Sequence, residues 1–197
     1  MPIETTLYGS LAAQWATLGL NIFSLFQTLQ PKDRILQSVL WIETIVQVIQ
    51  LSFYKWYLYN FKTVSEMTFY RYHDWFLTTP LMLFSTMVYY DYNNTEPETE
   101  TTVQSFIETH WKDVLIVFGF NLVMLLFGYF FERNVLDLLT SQVFGFAGLI
   151  GTFYVMWNSF ASKSPKNLLV YVFMTTVWAL YGVAALFEPV LKNAGYN

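Results

Sequence analysis

Long apolar blocks alternate with short polar linkers along the whole chain. Six blocks each hold about 20 or more mainly apolar residues, the length that a helix needs to cross a bilayer. Linkers such as QPKDR, ERN and SKSPK separate most of them, and a longer acidic linker follows the third block. The pattern predicts an all-α integral membrane protein with helices at about 6–29, 35–59, 68–91, 113–131, 135–160 and 167–188.

The basic residues of the linkers favour one orientation in the membrane. If the N-terminus lies outside, the inner loops hold Lys32, Arg34, Lys112, Lys163 and Lys166, and the outer ends hold Lys55, Lys62, Arg133 and Lys192. This small positive-inside bias favours an outside N-terminus. The N-terminal stretch MPIETTLYGS has no basic segment and no small-residue cleavage site, so we expect the first helix to be kept as a span.

The overall composition agrees with a membrane protein. Hydrophobic residues make up 55% of the 197 residues and charged residues only 12%, about half the charged fraction of a typical soluble domain. We expect a single transmembrane domain over 1–197. The absence of cysteine excludes disulfides and thiolate metal sites. The net charge of -4 comes largely from one loop and indicates no nucleic-acid partner.

The third block carries ionisable residues where lipid would disfavour them. At about 100° per residue, one helical face holds Arg71, Asp74, Thr78, Met82 and Ser85. Such residues normally face the interior of a bundle, and Asp74 and Ser85 are about 16 Å apart along the axis. An Arg–Asp pair that serves only packing is the alternative, but buried pairs stabilise poorly. The face therefore predicts a polar ladder around a buried carboxylate whose cation comes from elsewhere in the bundle.

Two motifs resemble those of a known family. The stretch RYHDWFLTTPLML closely resembles the third helix of microbial (type-1) rhodopsins, where the pattern is R-Y-x-D-W-x-x-T-x-P-L. The stretch WALYG, from Trp178 to Gly182, resembles the sixth-helix W-x-x-Y-P, with glycine in place of proline. The triplet of Asp74, Thr78 and Ser85 is similar to that of the rhodopsins encoded by giant algal viruses.

The resemblance implies a seven-transmembrane-helix rhodopsin bundle around retinal, which is held as a protonated Schiff base. It implies that Asp74 is the counterion and proton acceptor, Arg71 the gate to proton release, and Thr78 a hydrogen-bonding neighbour of Asp74. The residues implied to line the polyene are Trp75, Thr79, Met82, Trp178, Tyr181 and Gly182. It further implies a homo-oligomer in a lipid membrane, a host-cell membrane if the protein is viral, with no enzymatic reaction.

The retinal lysine of the family lies on helix seven, a few residues past a motif resembling the Tyr196-Asn197 with which this sequence ends. The lysines present lie near the predicted interfaces, so none can hold a Schiff base beside Asp74. We expect helix seven, with its lysine and second counterion, to lie outside this sequence. A six-helix protein without retinal is the alternative.

Ser85 leaves open whether the protein is a proton pump or a channel. In outward proton pumps of the family a carboxylic acid occupies this position and returns a proton to the Schiff base. A serine hydroxyl cannot hold an exchangeable proton near neutral pH. Reprotonation through water alone would make pumping slow.

Polar stripes on the first two helices favour a channel. The helix-one stripe includes Ser10, Gln14, Thr17 and Asn21, and the helix-two stripe includes Glu43, Gln47 and Gln50. Such stripes can line a hydrated path, in which Glu43 would favour cations. Interhelical hydrogen bonding is the alternative. We therefore expect light-driven movement of protons or monovalent cations, with a light-gated cation channel favoured over an outward proton pump. A photosensory receptor that signals to a partner is a further possibility.

Overall fold

A computed structural model describes residues 3–63, 67–96 and 99–193, and these residues form six α-helices without any β-strand. The helices are α1 (Ile3–Leu25), α2 (Arg34–Asn60), α3 (Met67–Asn94), α4 (Val103–Glu132), α5 (Leu138–Ser159) and α6 (Leu168–Asn193). Each predicted apolar block overlaps one of them. The largest difference is α4, which begins at Val103 rather than at 113, and α1 ends at Leu25 rather than at 29. Tyr196 and Asn197, compared above with the approach to helix seven, lie outside the described residues.

Four stretches of the described chain are long and apolar enough to cross a membrane. They are Pro31–Asn60, Val103–Glu132, Leu138–Lys163 and Pro165–Phe187, and they contain α2, α4, α5 and the greater part of α6. The remaining helices are also long, but α1 carries a polar stripe and α3 carries the ionisable ladder. Polar residues of this kind inside a bundle lower the hydropathy of a span without removing it from the membrane.

The helices group into two compact units, Met1–Trp111 and Lys112–Asn197. In the first unit α2 packs against both α1 and α3. The C-terminal half of α3 is the most deeply buried segment of that unit, with Leu83, Met87, Val88 and Tyr90 fully enclosed. This packing fixes α3 beside α2, so polar side chains of the two helices can meet within a low-dielectric interior.

In the second unit α4 and α5 approach closely at a glycine. A Cβ added to Gly148 would lie 2.7 Å from both the Met124 nitrogen and the Phe120 carbonyl oxygen. Because lipid tails are as apolar as leucine, helices in membranes associate through such close backbone packing at small residues. The Phe127 and Phe144 rings stack with centroids 4.7 Å apart in the same interface.

We expect Gly148→Ala to destabilise the protein because the added methyl group forces the α4 and α5 backbones apart. Overpacking of this kind costs about 1–3 kcal/mol, measured as the free energy of unfolding in detergent. Gly119→Ala is the matched control, since a Cβ at that position meets nothing within 4 Å. Equal stability of the two variants would contradict the close-packing role of Gly148.

Candidate functional site

The polar ladder of α3 is buried as its spacing predicted. Only 5% of Asp74 is exposed, Thr78 is fully buried and Thr79 is buried beside them. Both threonine hydroxyls donate to carbonyl oxygens one turn earlier, Thr78 to Asp74 at 3.0 Å and Thr79 to Trp75 at 2.8 Å. Position 80 is proline inside the helix and contributes no N–H to the ladder of backbone hydrogen bonds. The Asp74 carboxylate is thus held within an ordered, water-poor segment.

Arg71 lies one turn from Asp74, with its guanidinium between aromatic rings. The guanidinium carbon is 4.9 Å from the centre of the Trp75 ring and 5.7 Å from that of Tyr54. Cation–π contacts of this kind hold a partly desolvated cation in place. Tyr54 belongs to α2, so Arg71 is positioned by two helices.

The Asp74 carboxylate has an unused acceptor atom. Its Oδ1 atom is buried and has no hydrogen-bond partner among the described residues. An unsatisfied buried acceptor is costly, most of all on a charged group. A donor with positive charge would satisfy it, and a protonated Schiff base of retinal is such a donor. The site on α3 therefore fits the cofactor that the sequence motifs imply.

A carboxylic acid from α2 reaches the other end of the ladder. Glu43 and Ser85 form a hydrogen bond between the carboxyl Oε1 and the hydroxyl Oγ, and Ser85 is 1% exposed. The hydroxyl Oγ also lies 3.0 Å from the Met82 carbonyl oxygen. A hydroxyl has one hydrogen to donate and can accept as well. Ser85 can therefore donate to Met82 while it accepts a hydrogen bond from a protonated Glu43.

Two glutamines join α1 to α2 one turn beyond Glu43, toward the C-terminal end of α2. The side-chain nitrogen of Gln47 donates to the backbone oxygen of Gln14 at 3.1 Å and also bonds to the Gln14 side-chain oxygen. Gln47 is 8% exposed. We call this contact the glutamine bridge. It crosses the gap between the two polar stripes that the sequence identified.

A partly open cavity of about 450 Å³ lies between α1 and α2 in the described chain. Apolar side chains, among them Leu36 and Leu40, make up much of its lining. Its polar lining includes Thr17, Asn21 and Ser24 from α1, and Gln37, Glu43 and Gln47 from α2, and after this polar row we call it the polar cavity. From Gln37 to Gln47 it follows α2 for about 15 Å. The polar row thus runs from near the α1–α2 loop to Glu43 and Gln47.

The structure brings together part of the predicted ion path. Thr17, Asn21, Glu43 and Gln47 line the cavity, and Gln14 is bound to Gln47. Ser10 and Gln50 are half-buried on their helices and are not part of the lining.

The alternative reading of the α1 stripe also has support. The hydroxyls of Thr17 and Ser24 donate to carbonyls of their own helix, at 3.0 and 2.8 Å. These two residues thus combine local bonding with cavity lining.

The predicted α6 residues lie in the second unit. Trp178 is half-buried and packs edge-on against Phe153, with ring centres 5.6 Å apart. Tyr181 is 52% exposed within the described chain. A Cβ added to Gly182 would lie 2.8 Å from the ring of Phe146 on α5, so a larger residue there would displace this ring.

Two further polar contacts fasten the end of α3 beyond Ser85. The Tyr92 hydroxyl donates to Asp33 Oδ1 at 2.7 Å, which ties α3 to the turn before α2. His110 Nε2 lies 3.2 Å from Asp91 Oδ1, which ties α3 to the start of α4. Sequence reasoning did not find these contacts.

Comparisons with known proteins agree with the motifs. The family model described as bacteriorhodopsin-like protein matches residues 4–196. Among solved structures, the crystal structure of viral rhodopsin OLPVRII matches with a TM-score of 0.84 and 27% sequence identity, covering 100% of this chain and 88% of that chain. A search of curated proteins found no match.

Proposed function

Because the chain belongs to the bacteriorhodopsin-like family, we propose that it is a light-driven pump that moves protons outward across a membrane. Membership of this family establishes the fold class and the cofactor. The chain is an integral multi-pass membrane protein with the rhodopsin fold, which confirms the expected fold class. The family binds retinal as a Schiff base to a lysine of helix seven, which confirms the expected cofactor.

The hydrogen bond between Glu43 and Ser85 carries the proposal. The sequence favoured a channel because a serine hydroxyl at position 85 cannot store a proton. The carboxyl group of Glu43 can, and it lies against that hydroxyl in the first unit. Carboxylic acids buried in membrane spans are frequent members of proton relays. A proton donor is thus supplied by α2 at the position where the ladder of α3 lacks one.

The residues of the chain divide the work of proton transfer. Bound retinal supplies light absorption and a change of geometry at the Schiff base. Asp74 Oδ1, which has an open acceptor position, takes up a proton. Arg71, held against the Trp75 ring, lies on the side of Asp74 toward which the proton is released. Glu43 Oε1 holds the replacement proton beside Ser85 Oγ, about 16 Å further along α3. Trp75, Thr79, Met82, Trp178, Tyr181 and Gly182 are our proposed chromophore contacts.

The direction of transport follows from the proposed orientation. With the N-terminus outside, the α1–α2 loop faces inward and Arg71 lies toward the outer side. The polar cavity then opens toward the inner side and ends at Glu43 and Gln47. Protons would reach Glu43 from inside through water in this cavity and leave through the Asp74 and Arg71 end of the ladder.

A light-gated cation channel is the second candidate, and the cavity favours it. A carboxylate and polar lining residues are features of a cation path, and Thr17, Asn21 and Ser24 of α1 contribute to the lining. The glutamine bridge favours the pump instead, because it joins α1 to α2 where the cavity lining ends.

Photocurrents in a voltage-clamped cell test the proposal. We expect an outward current of constant sign at zero proton gradient, because a pump couples each turnover to one direction. A current that reverses with the cation gradient would instead establish the channel. If the protein absorbs light but gives no current in either direction, both transport functions are overturned and the photosensory role remains.

A further inference from the structure

The outer end of the polar cavity coincides with the glutamine bridge. The outermost lining residues are Thr17 on α1 and Gln47 on α2. Gln14 lies one turn further outward on α1 and is bonded to Gln47 through both its side chain and its backbone oxygen. The cavity lining thus ends where the two helices are joined by an amide contact.

The chemistry of the bridge suits a barrier to water and ions. A glutamine amide nitrogen has two hydrogens, and the two Gln14 oxygens give Gln47 a partner for each. Gln47 is also 8% exposed. A buried amide whose donors are both satisfied offers little to a passing water molecule. Val46, which precedes Gln47, and Leu18, one turn from Gln14, are also buried.

We propose that the glutamine bridge is the seal that keeps the inner cavity of this protein from opening to the outer side. This inference rests on the proposed pumping function, since a pump loses its gradient if its inner inlet and outer outlet are ever continuous. Gln47 is then a positioning residue that confines access to Glu43 to the inner side. Gln14 is its partner on α1. With the bridge in place the polar stripes form a one-sided inlet, and without it they form a channel.

Substitution of Gln47 tests the seal electrically. In the retinal-loaded protein under voltage clamp, we expect Gln47→Ala to add a passive photocurrent that reverses with the cation gradient. Gln47→Met keeps the side-chain volume but removes the hydrogen bonds of the amide. A passive photocurrent in this variant too would show that the hydrogen bonds, rather than the volume of the side chain, form the seal. Ser52→Ala is the matched control on α2, because Ser52 is exposed and bonds only to the carbonyl of Val48 at 2.7 Å. Both Gln47 variants should leave the absorption maximum unchanged.

Thiol labelling in the dark gives a second readout, which does not depend on pumping. The sequence contains no cysteine, so a single Asn21→Cys substitution creates one labelling site in the cavity. A membrane-impermeant thiol reagent should modify it only from the inner side. Adding Gln47→Ala should abolish this sidedness, so that reagent from outside also reacts.

The outcomes separate failure of the seal from failure of the pump. If the unmodified protein already shows a reversing current, the pump proposal fails, whatever the Gln47 variants do. If the unmodified protein pumps, and Gln47→Ala retains one-sided labelling and a current of constant sign, the seal is overturned and the pump stands. Labelling from both sides without any Gln47 substitution would also overturn the seal.

Discussion

Asp74→Asn is expected to move the absorption maximum to longer wavelength and to abolish outward photocurrent. The carboxylate of Asp74 is buried and has an open acceptor atom, so it can localise the positive charge of a protonated Schiff base. A neutral amide has no charge with which to do so, and it cannot take up a proton. Loss of a positioned proton acceptor lowers a transfer rate by about 100-fold or more. Visible spectra and single-flash currents measure the two effects.

The matched control is Asp91→Asn, the same chemical change on the same helix. Asp91 contacts His110 near the end of α3 and is not on the ladder that contains Asp74. Its removal should leave the absorption maximum where it is. An unshifted spectrum in Asp74→Asn, in protein that still binds retinal, would refute the counterion role.

The helices were predictable because a bilayer imposes one strong rule on sequence. Each span must be long and mainly apolar, and each of the six blocks read from hydropathy overlaps a helix. The start of α4 was missed because its first turns extend into the polar linker. There Thr102 and Ser105 bond reciprocally, with the Ser105 nitrogen donating to Thr102 Oγ1 at 3.1 Å and the Thr102 nitrogen donating to Ser105 Oγ at 3.0 Å. This pair resembles a capping box, with Ser105 in place of the usual Glu or Gln, and a hydropathy pattern does not register it.

The ladder on α3 was predictable because one helix has a fixed geometry. Asp74, Thr78 and Ser85 share a face by arithmetic alone, and all three are buried. The partner of Ser85 was not predictable in the same way. A contact between Glu43 and Ser85 depends on the depth and rotation of α2 against α3, which the periodicity of neither helix contains. Sequence reasoning therefore assigned Glu43 to an ion path and treated position 85 as lacking an acid.

This difference changes the balance between the two transport functions. From the sequence, a channel was favoured because α3 carries no proton donor at position 85 and α1 and α2 carry polar stripes. In the structure the Glu43 carboxyl lies against Ser85, and the glutamine bridge joins the two stripes. Under the proposed function these residues form an inlet with a donor at its end, and Glu43 is the residue on which the two functions differ most.

Glu43→Gln is expected to slow the recovery of the photocycle by about 100-fold, the scale on which a positioned acid contributes to proton transfer. Glutamine keeps the size of the side chain and an amide N–H that can donate to Ser85, but it cannot bind and release a proton. Protons must then arrive from bulk water through the cavity. The recovery rate, measured by flash absorption, should rise in proportion to the proton concentration, whereas the unmodified protein should show a weaker dependence. Current under continuous light should fall, because turnover becomes limited by this step.

The first turnover distinguishes a donor from a general structural role. Proton transfer to Asp74 precedes any use of Glu43, so the charge moved by a single flash should persist in Glu43→Gln. Gln50→Ala is the control on the same helix, since Gln50 does not line the cavity, and it should recover at the normal rate. Ser85→Ala, which keeps the acid and removes only its hydroxyl partner, should slow recovery less than Glu43→Gln does. If Glu43→Gln alters ion selectivity while recovery stays fast, Glu43 lines a cation path and the pump is the wrong assignment.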